Sequence, residues 1–198
     1  MQSAHRILSA VTLAALSASS MAATTVYTTS ASFMTAIAPA TFYTEDFTGL
    51  SSPPAGPAPF SGNGLAYTVA APNDIYASGD FIGTSLPNEA LTVSFTSGNV
   101  YAVGGNFYAT DFGDNFQSVL VTLTLNDGTV RTFTPMSVGG SYRGFTSNVA
   151  FSSLVMSAPG GSRYAGLDNL TVAVPEPTSW LMMGLGLAGL LAARRRKA

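Results

Sequence analysis

The chain has 198 residues, 46% of them hydrophobic and only 9% charged, with no cysteine and a single histidine, His5. Its formal net charge is −2, but residues 24–173 hold nine acids against three arginines and no lysine, a net charge of −6. An acidic, lysine-free span argues against nucleic-acid binding, and the lack of Cys and His there excludes disulfides, Ser-His-Asp or Cys-His catalysis and His-ligated zinc.

In chain order, the first segment reads as a secretory signal peptide over residues 1–23. Arg6 supplies the positive start, Ile7 to Ala18 the apolar stretch, and Ser20-Met21-Ala22 the small residues of a cleavage site, with Ala23 or Thr24 as the mature start. A strand is predicted over Thr25 to Thr28. A two-turn helix over Ala31 to Ile37 puts Phe33 and Ile37 on one face and ends at Pro39. Thr41 to Phe47 is the next predicted strand, followed by a proline-rich surface loop over Ser51 to Pro59.

Further strands are predicted over Leu65 to Val69, Ala90 to Phe95, Val100 to Tyr108, Val149 to Met156 and Gly166 to Val172. Turn residues separate them at Asn63-Gly64, Gly98-Asn99, Gly139-Gly140 and Gly160-Gly161. The clearest period-two pattern is Val119, Val121, Leu123 and Leu125, interleaved with Leu120, Thr122 and Thr124. Asp127-Gly128 follows and Val130 to Thr134 resumes the alternation, so a hairpin is predicted; a two-residue loop would set Leu125 opposite Val130 and Leu123 opposite Thr132. Many short strands in one span, residues 24–173, predict a mainly β domain, an antiparallel β-sandwich of jelly-roll type.

The acids are the main candidates for chemistry. Glu45-Asp46 lies on an early strand and Asp168-Asn169 on the last, and the first and last strands of such sandwiches sit close together. Glu45, Asp46, Asp168 and Asn169 are therefore a candidate site for a structural Ca²⁺, a hard ion that takes six to eight oxygens. Asp111 and Asp114, followed by Asn115, form a second candidate set; Asx turns account for the same spacing. The only tryptophan, Trp180, lies outside the domain, so sugar stacking would fall to tyrosines, of which Tyr76 and Tyr142 stand in turn-rich, exposed surroundings. Paired carboxylates also allow a glycoside hydrolase, but no acid sits in a signature, and the domain is expected not to be an enzyme.

The tail, residues 174–198, has a distinct order of parts. Val174-Pro175-Glu176-Pro177 is held extended by its two prolines. The uncharged stretch Trp180 to Ala193 would span about 21 Å as a helix, a short transmembrane segment. Arg194, Arg195, Arg196 and Lys197 hold the far end in the cytoplasm. This order resembles the PEP-CTERM sorting signal of Gram-negative bacteria. The resemblance implies recognition by an exosortase, a transient stay in the inner membrane and export to the cell surface or exopolysaccharide matrix, with Pro175, Glu176 and Pro177 as substrate of another protein's chemistry. Val26-Tyr27, Ser32-Phe33, Glu45-Asp46-Phe47 and Gly166 to Leu170 resemble the passenger domains that precede this signal. The expected function is an exported surface or biofilm-matrix protein with a non-catalytic binding or structural domain. A calcium-dependent carbohydrate-binding module and a matrix hydrolase are the alternatives.

Overall fold

Period-two burial along the chain folds it into two antiparallel sheets that face each other. The computed structural model describes residues 23–51 and 56–174. Residues 1–22 of the expected signal peptide, Pro175-Glu176-Pro177, the apolar stretch Trp180 to Ala193 and the arginine cluster lie outside them. The described elements are β1 (Thr24–Tyr27), α1 (Ser30–Ile37), β2 (Thr41–Glu45), β3 (Ala58–Gly62), β4 (Leu65–Ala70), β5 (Ile75–Ala77), β6 (Ile82–Thr84) and β7 (Leu91–Phe95). They continue with β8 (Val100–Thr110), β9 (Phe116–Gln117), β10 (Val121–Leu125), β11 (Val130–Phe133), β12 (Tyr142–Phe151), β13 (Ser153–Ser157) and β14 (Tyr164–Val174). Among the described residues no helix is long and apolar enough to cross a membrane.

One sheet has the order β1-β12-β8-β14-β6-β5, with β2 also paired to β14 and β9 to β8; the other runs β11-β10-β13-β7-β4-β3. From β11 onward every connection crosses from one sheet to the other, in the jelly-roll manner. Odd-numbered residues of β8, Val103 and Phe107 among them, join Leu123, Leu154, Leu91 and Tyr67 in the core between the sheets. Each large apolar side chain buried in this way contributes about 1.5–3 kcal/mol.

The opposite face of β8 is outward, and α1 covers one part of it. Thr29 caps the helix, its hydroxyl oxygen accepting from the Ser32 N–H at 3.2 Å. Phe33 and Ile37 then pack on Ala102, Tyr142 and Ala173. Phe33 can lie flat on the sheet because Gly104 and Gly144 carry no side chain beneath it: a Cβ on Gly144 would stand 2.5 Å from the ring.

Several details differ from the sequence reading. The span Val149 to Met156 is two strands, β12 and β13, that break at Ser152 and belong to different sheets. Within the proline-rich stretch, Ala58 and Pro59 already belong to β3, an edge strand where a missing N–H is tolerated. The Asn63-Gly64 turn is as expected, with φ of 53° and 76° in a two-residue loop. The β10–β11 hairpin is not: its pairs are Thr124↔Val130, Leu123↔Arg131 and Thr122↔Thr132. The loop is longer, with the Leu125 N–H donating to Thr129 O and Gly128 at φ 87°. That glycine bulge shifts the register by one residue and leaves Val130 49% exposed.

Gly144→Ala would drive a methyl into Phe33. It is expected to destabilise the fold by about 1–3 kcal/mol, read as a lower midpoint in chemical denaturation; an unchanged midpoint would refute the packing of Phe33 on this glycine.

Candidate functional site

Strand β14 organises the outward face. On one side it pairs with β8 from Tyr164↔Thr110 to Ala173↔Ala102. On the other it pairs first with β6 (Gly166↔Gly83, Leu167↔Ile82) and then with β2 (Leu170↔Glu45 through Val174↔Thr41). The change of partner falls at Asp168-Asn169, where the β8 register shifts and Asn169 takes φ 52°. The end of β2 and the segment leading into β6 therefore meet at this point. The expected approach of Glu45-Asp46 to Asp168-Asn169 is present as strand pairing.

The four do not share a face, however. Glu45 pairs with Leu170, a core residue, so its side chain points to the interior side. There one carboxylate oxygen accepts the Tyr43 hydroxyl and the other the Phe47 N–H at 3.2 Å. Asp46, the next residue, caps the Thr48 N–H at 3.0 Å. Asp168 accepts from the Asn169 N–H at 2.6 Å and from the Asn169 side-chain amide at 2.7 Å. That amide also reaches Asn106 Oδ1 at 3.4 Å, and the Asn106 amide donates to Val138 O at 2.9 Å. Among the described residues no group of three or more carboxylates is arranged to hold a metal ion. Strand alternation thus turns Glu45 away from Asp46, Asp168 and Asn169 of the expected calcium set, and each Asp168 oxygen accepts one hydrogen bond from Asn169.

Burial pushes the Asp168 carboxyl up to about 6; the Asn169 N–H opposes this, and the charges of Asp46 and Asp80 add to it. Asp80 belongs to this neighbourhood as well. Burial, with the charges of Asp168, Asp80 and Asp114, also raises the Tyr108 hydroxyl well above its ordinary range. Tyr108 therefore stands between the acids at the strand switch and those of the next loop.

That loop lines a cleft of about 220 Å³ with Tyr76, Phe81, Thr84, Thr110, Asp111, Phe112, Asp114 and Tyr164. Phe112 is 88% exposed, and its ring centroid lies 6.5 Å from that of Tyr164. Tyr76 is 39% exposed; its hydroxyl donates to Asp114 Oδ2 at 2.7 Å, and that bond raises its phenol. Behind them Phe81 stacks edge-on between Tyr76 and Tyr108, at 6.1 and 5.7 Å. The rings can approach because Gly166 is bare: a Cβ there would meet Tyr108 at 3.3 Å.

Asp111 and Asp114, the second calcium set, hold different partners. Asp111 Oδ1 accepts the Gly113 and Asn115 N–H groups at 2.9 and 3.1 Å, and Oδ2 accepts from Gln117 at 3.0 Å. The Asn115 backbone bond leads in holding this carboxyl below its ordinary range. Asp111 thus folds the loop that presents Phe112, while Asp114, at φ 61°, orients Tyr76. Tyr142 is a correction: it is 4% exposed, packed against Phe33 beneath α1, and is not accessible to a ligand. The helix covers a turn-rich region that looked open. Phe112, Tyr164, Phe81 and Thr84 were not singled out in sequence. Phe112 carried a signal, an aromatic residue in an Asp-Phe-Gly-Asp turn outside any alternating run.

A sandwich with an aromatic and acidic cleft on one sheet, whose last strand runs straight into a C-terminal label, defines a folded passenger joined to an address. The address is the PEP-CTERM protein-sorting motif, whose family model matches residues 173–197. No curated protein matches the chain. The motif marks a protein that is anchored in the membrane as a precursor, processed by an exosortase and exported to the cell surface. Its first two residues, Ala173 and Val174, are still in β14, paired with Phe42 and Thr41.

Two outcomes follow. Because Asp168 binds its proton more tightly folded than unfolded, its contribution is fully favourable at acid pH and is lost as pH rises from 3.8 through about 6. Asp168→Asn should remove that loss and stabilise the protein at pH 7 by about 1 kcal/mol, discounted because the side chain is only half-buried. Equal melting profiles of the variant and wild type between pH 4 and about 7 would contradict this. Glu176→Ala should leave the precursor in the membrane fraction; normal surface delivery would show that the motif is not read at this residue.

Proposed function

We propose that the exported domain is a non-catalytic carbohydrate-binding module of the cell surface or extracellular matrix, and that the cleft beside Phe112 is where it binds. The observation that carries this reading is Phe112 itself, a phenylalanine 88% exposed and paired with Tyr164 across a cleft that also holds Tyr76. At that exposure the ring buries little apolar area and adds little to the stability of the fold. Flat ring faces bind the apolar faces of sugars, while Asp114, Thr84 and the Tyr76 hydroxyl supply polar partners for sugar hydroxyls. At about 220 Å³ the cleft lies below the usual 300–1,000 Å³ of small-molecule pockets and suits one sugar unit of a longer chain.

The commitments of the carboxylates favour binding over hydrolysis. Asp111 is tied to its own loop through both oxygens, which disfavours it as the general acid or nucleophile of glycosidic cleavage, and Asp114 is engaged by Tyr76 through Oδ2. Binding should not require calcium, given the separate engagements of the acids. Titration of the exported protein with oligosaccharides from the matrix, by calorimetry, tests the reading. Phe112→Ala and Tyr76→Ala should each weaken binding by about 3–10-fold, the worth of one stacking contact, and chelator should change nothing. Unaltered affinity in both variants, or release of reducing ends on incubation, would overturn it.

A further inference from the structure

The register of the eight-stranded sheet locates both ends of the domain. One row of paired residues runs Thr25–Thr146–Ala102–Ala173–Phe42 across β1, β12, β8, β14 and β2. Thr24 and Val174 lie one step beyond that row in the same direction, paired with Ser147 and Thr41. The first and last strands thus leave the sandwich from one end, three strand spacings or about 14 Å apart. The cleft lies at the other end of β14, where Tyr164 pairs with Thr110. Eleven residues of strand separate the two ends, about 33 Å.

Only the residues 175–179 stand between Val174 and the apolar stretch that begins at Trp180. Six Cα steps reach at most about 21 Å fully extended, less than the length of β14. The loops at the same end include Pro39–Ala40, Asn63–Gly64, Ser97–Asn99 and Ser147–Ser152, and none of them holds a charged residue. Phe42 and Val149 are each 40% exposed there. The acids at this end are Asp127, which accepts the Thr24 hydroxyl, and Glu176, two residues past Val174 in the tether. The other acids, Asp46, Asp80, Asp168, Asp111 and Asp114 among them, are set back along the strands or lie at the cleft.

We infer that in the membrane-anchored precursor this sparsely charged end of the sandwich is a lipid-facing surface, seated on the bilayer, and that the cleft points away from the membrane. The short tether holds the end down. The charge distribution selects the end over the sides, because the outer face of the sheet would bring Asp46, Asp80 and Asp168 against anionic headgroups. An exported precursor built this way keeps its ligand cleft free while its C-terminus is still in the membrane.

The cysteine-free chain makes the test direct, since any introduced thiol is labelled alone. The full-length precursor is reconstituted in phosphatidylethanolamine–phosphatidylglycerol vesicles, some lipids carrying a headgroup nitroxide, with a fluorophore on Asn99→Cys, Val149→Cys or Leu86→Cys. Asn99 and Val149 belong to the membrane-proximal end; Leu86, 47% exposed, follows β6 at the cleft end. The expected result is loss of about half the fluorescence or more at Asn99 and Val149 and little loss at Leu86, some 30 Å farther from the lipid. Equal quenching at the three positions, or stronger quenching at Leu86, would overturn the inference. Two independent positions at the membrane-proximal end keep the test decisive if one variant fails to fold.

Discussion

The pairing of β14 is the constraint on which the rest of the structure depends. Along one edge it is bonded to β8 for nearly its whole length; along the other it divides its bonds between β6 and β2. A strand that changes partner in its middle must accommodate a step, and the chain does so with Asn169 at φ 52° and a shift of register. Asn is among the residues that tolerate that backbone region. Its side-chain amide then binds Asp168 and Asn106, so the residue that makes the step also joins the carboxylate exposed by it to the neighbouring strand.

The same strand separates two tasks by distance. Its N-terminal end brings Tyr164 beside Phe112, in a loop folded by the Asp111 carboxylate. Its C-terminal end carries Ala173 and Val174, which belong at once to the sheet and to the sorting motif. The sandwich therefore leaves no slack between fold and address. Glycine governs what can lie on the outward face: Gly104 and Gly144 admit Phe33 and hence α1, whereas Gly166 admits the Phe81 and Tyr108 rings that back the cleft. Where the helix lies the face is closed, and where the rings lie it is open.

Much of the fold was legible in the sequence because it rests on local rules. Alternation marked β4, β7, β8, β10 and β14, and Asn63-Gly64 marked a turn. The errors came where a local rule had two outcomes. Asp127-Gly128 fits both a two-residue loop and a glycine bulge, and the bulge moved the register by one. The run through Ser152 is apolar enough for one strand, and only the change of sheet divides it. The adjacency of Glu45-Asp46 to Asp168-Asn169 was read correctly, but the alternation that sends Glu45 inward followed from its pairing with Leu170, which no sequence pattern states. Tyr142 looked exposed because the helix that covers it is far away in sequence. Phe112 and Tyr164 meet from positions about fifty residues apart, and sequence spacing holds no trace of that contact.

Amide hydrogen exchange across β14 in the full-length protein tests the central role of this strand most directly. Thr171 to Ala173 are held between β8 and β2, and Leu170 is paired with β2, so their amides are predicted to exchange only through global unfolding, with faster exchange confined to the step at Asn169. Exchange of Leu170 to Ala173 at the rate of an exposed loop would mean that the sorting motif begins in free chain, and would contradict the account.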